Sequence, residues 1–388
     1  MHSMNTTLVK VTVFAVFSAL MLAMATPALG QTVYNFANPP DAYGPKCNLV
    51  VDTAGNMYGT TFSGGTHNLG AVFMLTPTGT ESVIYSFAGG VDGSHPVGGL
   101  ARDKKTGNLY GATVFGGTTN NGTVFKLNPV TGVEAVLYSF KGGVTDGANP
   151  YSTVVLAGTT VFGNTFNGGT FGYGTVFKVT AAGKETVLHN FNSAFPALDG
   201  SYPYAGLTLY KGILYGTTTL GGAHNLGTVF AITKTGSYTL LYSFKGGTGD
   251  GQSPQAGVAF DKLGNIYGTT YSGGINNAGV VFEITGGVET AVHHFGRNTG
   301  DGINPEAGMI LYKGNFYGTT LQGGTANGGT VFKITPTGTE TLLHSFTGGT
   351  TDGFNPYSAL VLGLNNTFYS TTVIGGTANL GTVFKVIP

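Results

Sequence analysis

Residues 254–295 read PQAGVAFDKLGNIYGTTYSGGINNAGVVFEITGGVETAVHHF. The stretch contains four short segments rich in β-branched and aromatic residues: Ala256–Asp261, Ile266–Tyr271, Val280–Thr285 and Val288–Phe295. Turns of Gly and Asn separate them, a pattern that predicts four consecutive antiparallel strands. No segment keeps a helical period long enough to favour a helix. The stretch is therefore predicted to fold as a four-stranded meander.

The same unit recurs seven times along the chain. Its Tyr-Gly-Thr-Thr element, or a variant of it, begins at Tyr58, Tyr110, Phe162, Tyr215, Tyr267, Tyr317 and Tyr369. Four strands repeated every ~52 residues are typical of a β-propeller blade. We expect an all-β fold over residues 31–388, a single seven-bladed β-propeller of four-stranded antiparallel blades. The predicted blades are 45–87, 96–140, 150–191, 203–244, 254–295, 305–346 and 356–388.

The two ends of the repeat array complement each other. The seventh repeat ends at Pro388, before its own aromatic-x-Phe strand, and an isolated copy of that strand stands at Tyr34-Asn35-Phe36. We expect residues 31–36 to complete the last blade and close the ring, which removes exposed sheet edges. An open β-solenoid is the alternative, but its end repeats usually carry polar caps, and the sequence shows none.

The repeat resembles the GloVer, or Gloeo/Verruco, tandem-repeat family of exported bacterial proteins. The resemblance rests on Tyr-Gly-Thr-Thr, then Gly-Gly-Thr with Asn, Gly-Thr-Val-Phe-Lys, and Leu-Tyr-Ser-Phe with Asp-Gly and Pro. It covers residues 31–388. It implies an exported repeat protein of undefined activity, and it carries no catalytic residues over to this sequence.

Composition narrows the possible partners and chemistries. Charged residues make up 9% of the chain and the formal net charge is +0, so nothing favours nucleic acid or an anionic membrane surface. Cys47 is the only cysteine, which excludes an intrachain disulfide. The lack of Trp disfavours a quinone-dependent dehydrogenase, since such propellers usually use Trp for stacking and blade docking. We expect no cofactor.

The first thirty residues differ from the repeats. Lys10 precedes an apolar run from Val11 to Ala25, and small residues follow before Gln31. This pattern predicts a signal peptide over residues 1–30, because about 15 apolar residues are too few to span a bilayer. We expect a secreted or periplasmic monomer that is not attached to a membrane after cleavage.

Two recurring polar positions are interpreted as structural. An Asp-x-x-x-Pro element precedes every repeat, with its aspartate at Asp41, Asp92, Asp146, Asp199, Asp250, Asp301 and Asp352. Calcium binding is the alternative, but each turn offers one carboxylate, so we expect Asp to accept backbone hydrogen bonds. An Asn recurs in the loop after the second strand and is replaced by Gly172 in the third repeat, which predicts a left-handed backbone.

Histidines supply no convincing metal site in the sequence. His67 and His224 occupy matching loop positions in separate repeats, and the adjacent His293 and His294 lie on one strand, where neighbouring side chains face opposite sides. We therefore expect satisfied or solvated histidines and no metal.

One position differs strongly between repeats and lies near the predicted channel mouth. It is the residue directly after each repeat proline: Lys46, Val97, Tyr151, Tyr204, Gln255, Glu306 and Tyr357. Tyrosines can stack on sugar rings, and the polar residues can bond hydroxyl groups, so all of these except Val97 are predicted ligand-binding residues. The alternative is that they only plug or line a wet channel.

The sequence favours a noncatalytic binding or interaction module for glycans or for another exported protein. The alternative is a propeller enzyme that acts on polysaccharide, either a lyase or a glycoside hydrolase. Hydrolysis requires paired carboxylates roughly 5–10 Å apart. Glu306 has no evident carboxylate partner in the repeat pattern, so no catalytic residue is predicted.

Overall fold

The computed structural model describes residues 30–192 and 199–388. The predicted signal peptide, residues 1–30, lies outside the described residues apart from Gly30. Seven antiparallel sheets form the blades of a β-propeller, as predicted. Each has four blade strands, and the sheet of blade 7 gains a fifth, Gly353–Pro356, from the linker before it. In the described ranges, the helical elements are two short 3-10 helices, Gly90–Asp92 and Leu364–Asn366. None of the helices in these ranges has the length and apolar character needed to cross a membrane.

The inner strand of each blade, which lies nearest the channel, is shorter than the second strand. The inner strands of blades 1 to 7 are Val50–Val51, Ala101–Arg102, Val155–Ala157, Thr208–Tyr210, Ala259–Phe260, Ile310–Tyr312 and Val361–Leu362. The second strands are Met57–Thr61, Leu109–Thr113, Thr160–Thr165, Ile213–Thr218, Ile266–Thr270, Asn315–Thr320 and Phe368–Gly375.

The third strand and the outer strand of each blade follow the second strand along the chain. The third strands are Ala71–Leu75, Thr123–Leu127, Thr175–Val179, Thr228–Thr233, Val280–Thr285, Thr330–Ile334 and Thr382–Val386. The outer strands are Glu81–Ser86, Glu134–Ser139, Glu185–Asn190, Tyr238–Ser243, Val288–His294, Glu340–Ser345 and, for blade 7, Gly30–Asn35.

The ring closes through its first strand. Gly30–Asn35 pairs antiparallel with Thr382–Val386, so that Gly30 lies opposite Val386 and Asn35 opposite Thr382. The N-terminal strand thus supplies the outer strand of blade 7. This confirms the predicted closure, in which the first and last segments of the chain share one sheet.

Phenylalanine pairs fill the seams between neighbouring blades. The Phe after each outer strand and the Phe in each third strand are almost completely buried, and they meet edge to face across the seam. Phe87–Phe125 and Phe140–Phe177 have ring centroids 5.2 and 4.9 Å apart. Each buried Phe contributes roughly 1.5–3 kcal/mol by leaving water, and the edge-to-face geometry adds to this.

The glycine of Tyr-Gly-Thr-Thr makes room for these phenylalanines. A Cβ at Gly59 would lie 2.7 Å from the ring of Phe73 on the neighbouring strand, which is too close for any side chain. The last threonine of the motif binds the third strand. In blade 2, for example, the hydroxyl groups of Thr113 and Thr123 are 2.8 Å apart. The motif therefore recurs because it packs against the Gly-x-Val-Phe strand of the same blade.

The inner strand is shorter than predicted. The segment Ala256–Asp261 was predicted as strand, and only Ala259–Phe260 pairs in the ladder. The small residues just before each inner strand instead line the central channel, where neighbouring blades converge. A Cβ at Gly98 would lie 2.3 Å from the carbonyl oxygen of Ser152 in the next blade.

Two sets of loops meet on one face of the ring. The linker loop joins the outer strand of one blade to the inner strand of the next, and the hairpin loop joins the second and third strands of a blade. Short two-stranded ladders connect them at Ala42–Tyr43 with Ser63–Gly64, Gly147–Ala148 with Asn167–Gly168, Gly200–Ser201 with Leu220–Gly221, Gly251–Gln252 with Ser272–Gly273, and Gly302–Ile303 with Gln322–Gly323. This face carries the mouth of the channel.

Candidate ligand-binding site at the channel mouth

The seven residues that follow the repeat prolines converge on one cavity. Its empty volume is about 450 Å³, and it is lined by Lys46, Val97, Tyr151, Tyr204, Gln255, Glu306 and Tyr357 together with the small residues beneath them. Val97 is buried and the other six are half-buried. The structure thus brings together all six residues predicted to bind ligand, although they come from six different repeats.

A backbone feature aims these side chains at the axis. The residue before each repeat proline has a left-handed backbone, with φ near +55° at His95, Asn149, Tyr202, Ser253, Asn304 and Asn355 and +66° at Gly44. Asn149, Asn304 and Asn355 also donate side-chain hydrogen bonds of 2.8–3.0 Å to hairpin-loop carbonyls. The linker is therefore fixed to the hairpin loop directly before the channel-lining residue. The Asn-Pro dipeptides are the sequence signal for this turn, and our sequence analysis did not use them.

Tyr204 and Tyr357 meet across the channel. They belong to blades 4 and 7, and their hydroxyl groups are in hydrogen-bond contact. Tyr357 is also hydrogen-bonded to Glu306. Either hydroxyl can be the donor in the bond between Tyr204 and Tyr357. A chain of hydrogen bonds thus crosses the mouth and ends on the Glu306 carboxyl group.

Aromatic and cationic groups flank this chain. The ring of Tyr151 is stacked on that of Tyr204, with centroids 5.8 Å apart and an angle of 27° between the planes. On the other side, the Nζ atom of Lys46 lies 5.6 Å from the ring centroid of Tyr357 and 5.1 Å from that of Phe62. The mouth therefore offers half-buried ring faces beside hydrogen-bonding groups.

Burial controls the ionisation of the mouth residues. It raises the pKa of Glu306, while the hydrogen bond from Tyr357 and the charge of Lys46 partly oppose this. Burial also raises the pKa of Tyr204 to about 12 and raises the pKa of Tyr357. Both phenols consequently remain neutral hydrogen-bonding groups at physiological pH.

A second, apolar cavity adjoins the mouth between blades 7 and 1. It has about 500 Å³ of empty space, and its lining includes Tyr43, Phe62, Ile374 and Leu380. Lys46 lines both cavities, so they share one wall. Our sequence analysis missed this cavity. The signal for this cavity in the sequence is the position directly after Tyr-Gly-Thr-Thr. This position varies between repeats and is the large aromatic Phe62 in the first.

The recurring aspartates and asparagines hold the loops, as predicted. Asp146 accepts backbone hydrogen bonds from Lys141 and Gly147, each of 2.7 Å. It also accepts one of 2.8 Å from the Tyr138 hydroxyl, a partner that the sequence analysis missed. The hairpin-loop residues all have positive φ, as at Asn68, Asn120, Gly172, Asn225, Asn277, Asn327 and Asn379. His67 and His224 are exposed.

Comparison with solved structures shows relatives of the same fold. The extracellular domain of a protein described as a hybrid two-component system from B. thetaiotaomicron has a TM-score of 0.59 and 11% identity over 91% of this chain and 39% of that one. A second such domain from the same organism has a TM-score of 0.54 and 13% identity over 93% of this chain and 42% of that one. The chain thus spans about two fifths of either relative.

Sequence comparison gives the family. No curated protein matches the chain. The sequence model described as the Gloeobacter/Verrucomicrobia repeat matches residues 20–171 and 162–384, which together include nearly all of the repeats. The chain belongs to the Gloeobacter/Verrucomicrobia repeat family.

Proposed function

We propose that this protein is an exported, noncatalytic binding module whose ligand docks at the channel mouth. The observation that carries the proposal is the convergence of seven residues from seven repeats on one cavity. The scaffold beneath them repeats almost unchanged, whereas these residues differ from blade to blade. Variation at one position of a rigid repeat is the pattern of a recognition surface.

The chemistry of the mouth fits a glycan. The half-buried rings of Tyr151 and Tyr204 offer apolar faces for a sugar ring, and the Glu306 carboxylate and Gln255 amide supply partners for hydroxyl groups. The adjoining apolar cavity extends the surface for a longer chain or an attached aglycone.

Binding is favoured over catalysis by the charges at the mouth. Glu306 is the one carboxylate among the described residues that line this cavity. Glycoside hydrolysis needs a second carboxylate roughly 5–10 Å away. The neighbours of Glu306 are instead Tyr357 and Lys46, which hold it as a hydrogen-bond acceptor.

The proposal is tested on a glycan array with the wild type and with a variant in which Tyr151, Tyr204 and Tyr357 are all replaced by Ala. We expect the wild type to bind a defined set of glycans and the triple variant to lose at least tenfold in affinity for them. A melting curve of the variant verifies that it is folded. Tyr312→Ala, which alters an inner strand away from the mouth, is the matched control and should bind as the wild type does.

Two outcomes contradict the proposal. A wild type that binds no glycan on the array would remove the ligand class and leave an exported protein as the partner to be sought. A triple variant that is folded and binds the same glycans with unchanged affinity would remove the channel mouth as the site.

A further inference from the structure

Every seam between two blades carries the same kind of polar cluster. It consists of the aromatic or His residue near the end of an outer strand, the Asp of the following linker loop, and the first or second residue of the next outer strand. Four seams combine Tyr, Asp and Glu. They are Tyr34–Asp41–Glu81, Tyr85–Asp92–Glu134, Tyr138–Asp146–Glu185 and Tyr242–Asp250–Glu289. In all four, the tyrosine hydroxyl donates to the aspartate at 2.8–2.9 Å.

Where His replaces Tyr, the Glu is usually replaced as well. His189 lies 2.7 Å from Asp199 and stacks on Tyr238, which stands at the Glu position. His344 lies 3.2 Å from Asp352, and Gly30 stands at the Glu position against its ring. In both seams the imidazole forms a close pair with one carboxylate.

The seam between blades 5 and 6 is the exception, because His293, Asp301 and Glu340 occur together. The ligand atoms of these three residues all lie within 4.8 Å of one another. The Nε2 atom of His293 is 3.6 Å from Oε2 of Glu340. Within the described ranges, this is the one group of at least three His, Cys, Asp or Glu residues that is arranged to hold a metal ion.

One side-chain atom of each of these three residues lacks a hydrogen-bond partner. Nε2 of His293, Oδ1 of Asp301 and Oε1 of Glu340 are buried and have no hydrogen-bond partner. With its proton on Nδ1, the imidazole of His293 presents a lone pair on Nε2. One oxygen of the Glu also lacks a partner at the four tyrosine seams. There, however, the tyrosine hydroxyl donates to the aspartate, whereas at this seam the imidazole provides a further potential ligand atom.

We propose that His293, Asp301 and Glu340 bind a divalent transition-metal ion, with Zn²⁺ as the best-fitting ion. One imidazole and two carboxylates form a mixed set of nitrogen and oxygen ligands of the kind zinc accepts, with water as the fourth ligand. Calcium requires six to eight oxygen ligands, more than this seam supplies. Tetrahedral ligands at about 2.1 Å from zinc are roughly 3.4 Å apart, close to the 3.6 Å between His293 and Glu340.

The charge balance of the seam is consistent with this site. The ligand atoms of Asp301 and Glu340 lie within 4.8 Å of each other. A divalent ion between them would offset the repulsion between the two carboxylates.

The test is titration of the EDTA-treated, dialysed chain with ZnCl₂ by calorimetry. We expect one Zn²⁺ per chain for the wild type. His293→Tyr gives this seam the residue found at four others, so it should fold normally and lose at least tenfold in affinity. His224→Ala, which removes an exposed histidine, should bind as the wild type does and controls for adventitious surface binding. No binding by the wild type, or an unchanged affinity in folded His293→Tyr, would overturn the proposal.

Discussion

Phe36 and Phe73 meet edge to face across the seam between blades 7 and 1, with ring centroids 5.2 Å apart. Phe36 follows the first strand of the described chain, and Phe73 lies in the third strand of the first blade. Both are completely buried. The pair has the geometry of the pairs at the other seams, so the seam that closes the ring is packed like those between consecutive repeats.

Replacing Phe36 should therefore destabilise the whole ring. Phe36→Ala leaves a cavity beside Phe73, and we expect the free energy of unfolding to fall by about 3–5 kcal/mol. Equilibrium urea denaturation measures this. Phe171→Ala is the control, because that side chain is 50% exposed in a hairpin loop and its loss should cost less than about 1 kcal/mol. Equal, small effects of the two substitutions would mean that the closing seam does not hold the ring.

The glutamates of the seams should make stability depend on pH. Burial and the charge of Asp92 raise the pKa of Glu134 from 4.5 to about 7. The folded chain then binds the proton more tightly than the unfolded chain, so the free energy of unfolding falls as pH rises from about 4.5 to about 7. Glu134→Gln removes this contribution, and its stability relative to the wild type should be greater at pH 8 than at pH 5.

Urea denaturation at pH 5 and pH 8 checks this prediction. Phe171→Ala is the control, because that side chain is 50% exposed and carries no ionisable group. Its effect on stability should be the same at pH 5 and pH 8. If the effect of Glu134→Gln on stability does not change with pH, the seam does not raise the pKa of this carboxylate.

The contact between Tyr357 and Glu306 at the mouth predicts how the pKa of Glu306 depends on its neighbours. The bond from Tyr357 lowers the pKa of Glu306 and so opposes the effect of burial. Tyr357→Phe should therefore raise the pKa of Glu306 further, as measured by ¹³C NMR titration of its carboxyl group. Tyr151→Phe should leave it unchanged, since the Tyr151 ring contacts Tyr204 instead. A lower or unchanged pKa of Glu306 in Tyr357→Phe would contradict the hydrogen bond between Tyr357 and Glu306.

The fold was predictable because its main contacts are local in the repeat. The Gly59–Phe73 contact joins two neighbouring strands of one blade, so the two motifs that carry it keep a fixed spacing in every copy. Ring closure was predictable because the missing strand reappears at Tyr34-Asn35-Phe36. The short inner strand was not predicted, because crowding near the axis interrupts the ladder while the sequence still has strand character.

The convergence of the residues after the prolines was predictable from the sequence, whereas the contacts between them were not. The residues after the prolines stand out because they vary on a constant scaffold. The meeting of Tyr204 with Tyr357 depends on how far two side chains reach across the channel from blades 4 and 7, which no local spacing encodes. Likewise, His293 and Glu340 belong to successive repeats, and only the packing of two blades brings them to 3.6 Å. The sequence analysis expected a satisfied or solvated histidine at His293.

The measurement that tests the proposed binding site most directly uses a single tryptophan as a reporter, since the chain has none of its own. Tyr151→Trp places the indole at the channel mouth. Val130→Trp places it on a 91% exposed position in the turn after a third strand, at the opposite end of the blade. Titration with a glycan selected on the array should change the Tyr151→Trp fluorescence to saturation and leave Val130→Trp unchanged. A glycan that binds both variants without altering the Tyr151→Trp signal, or that alters only Val130→Trp, would contradict binding at the mouth.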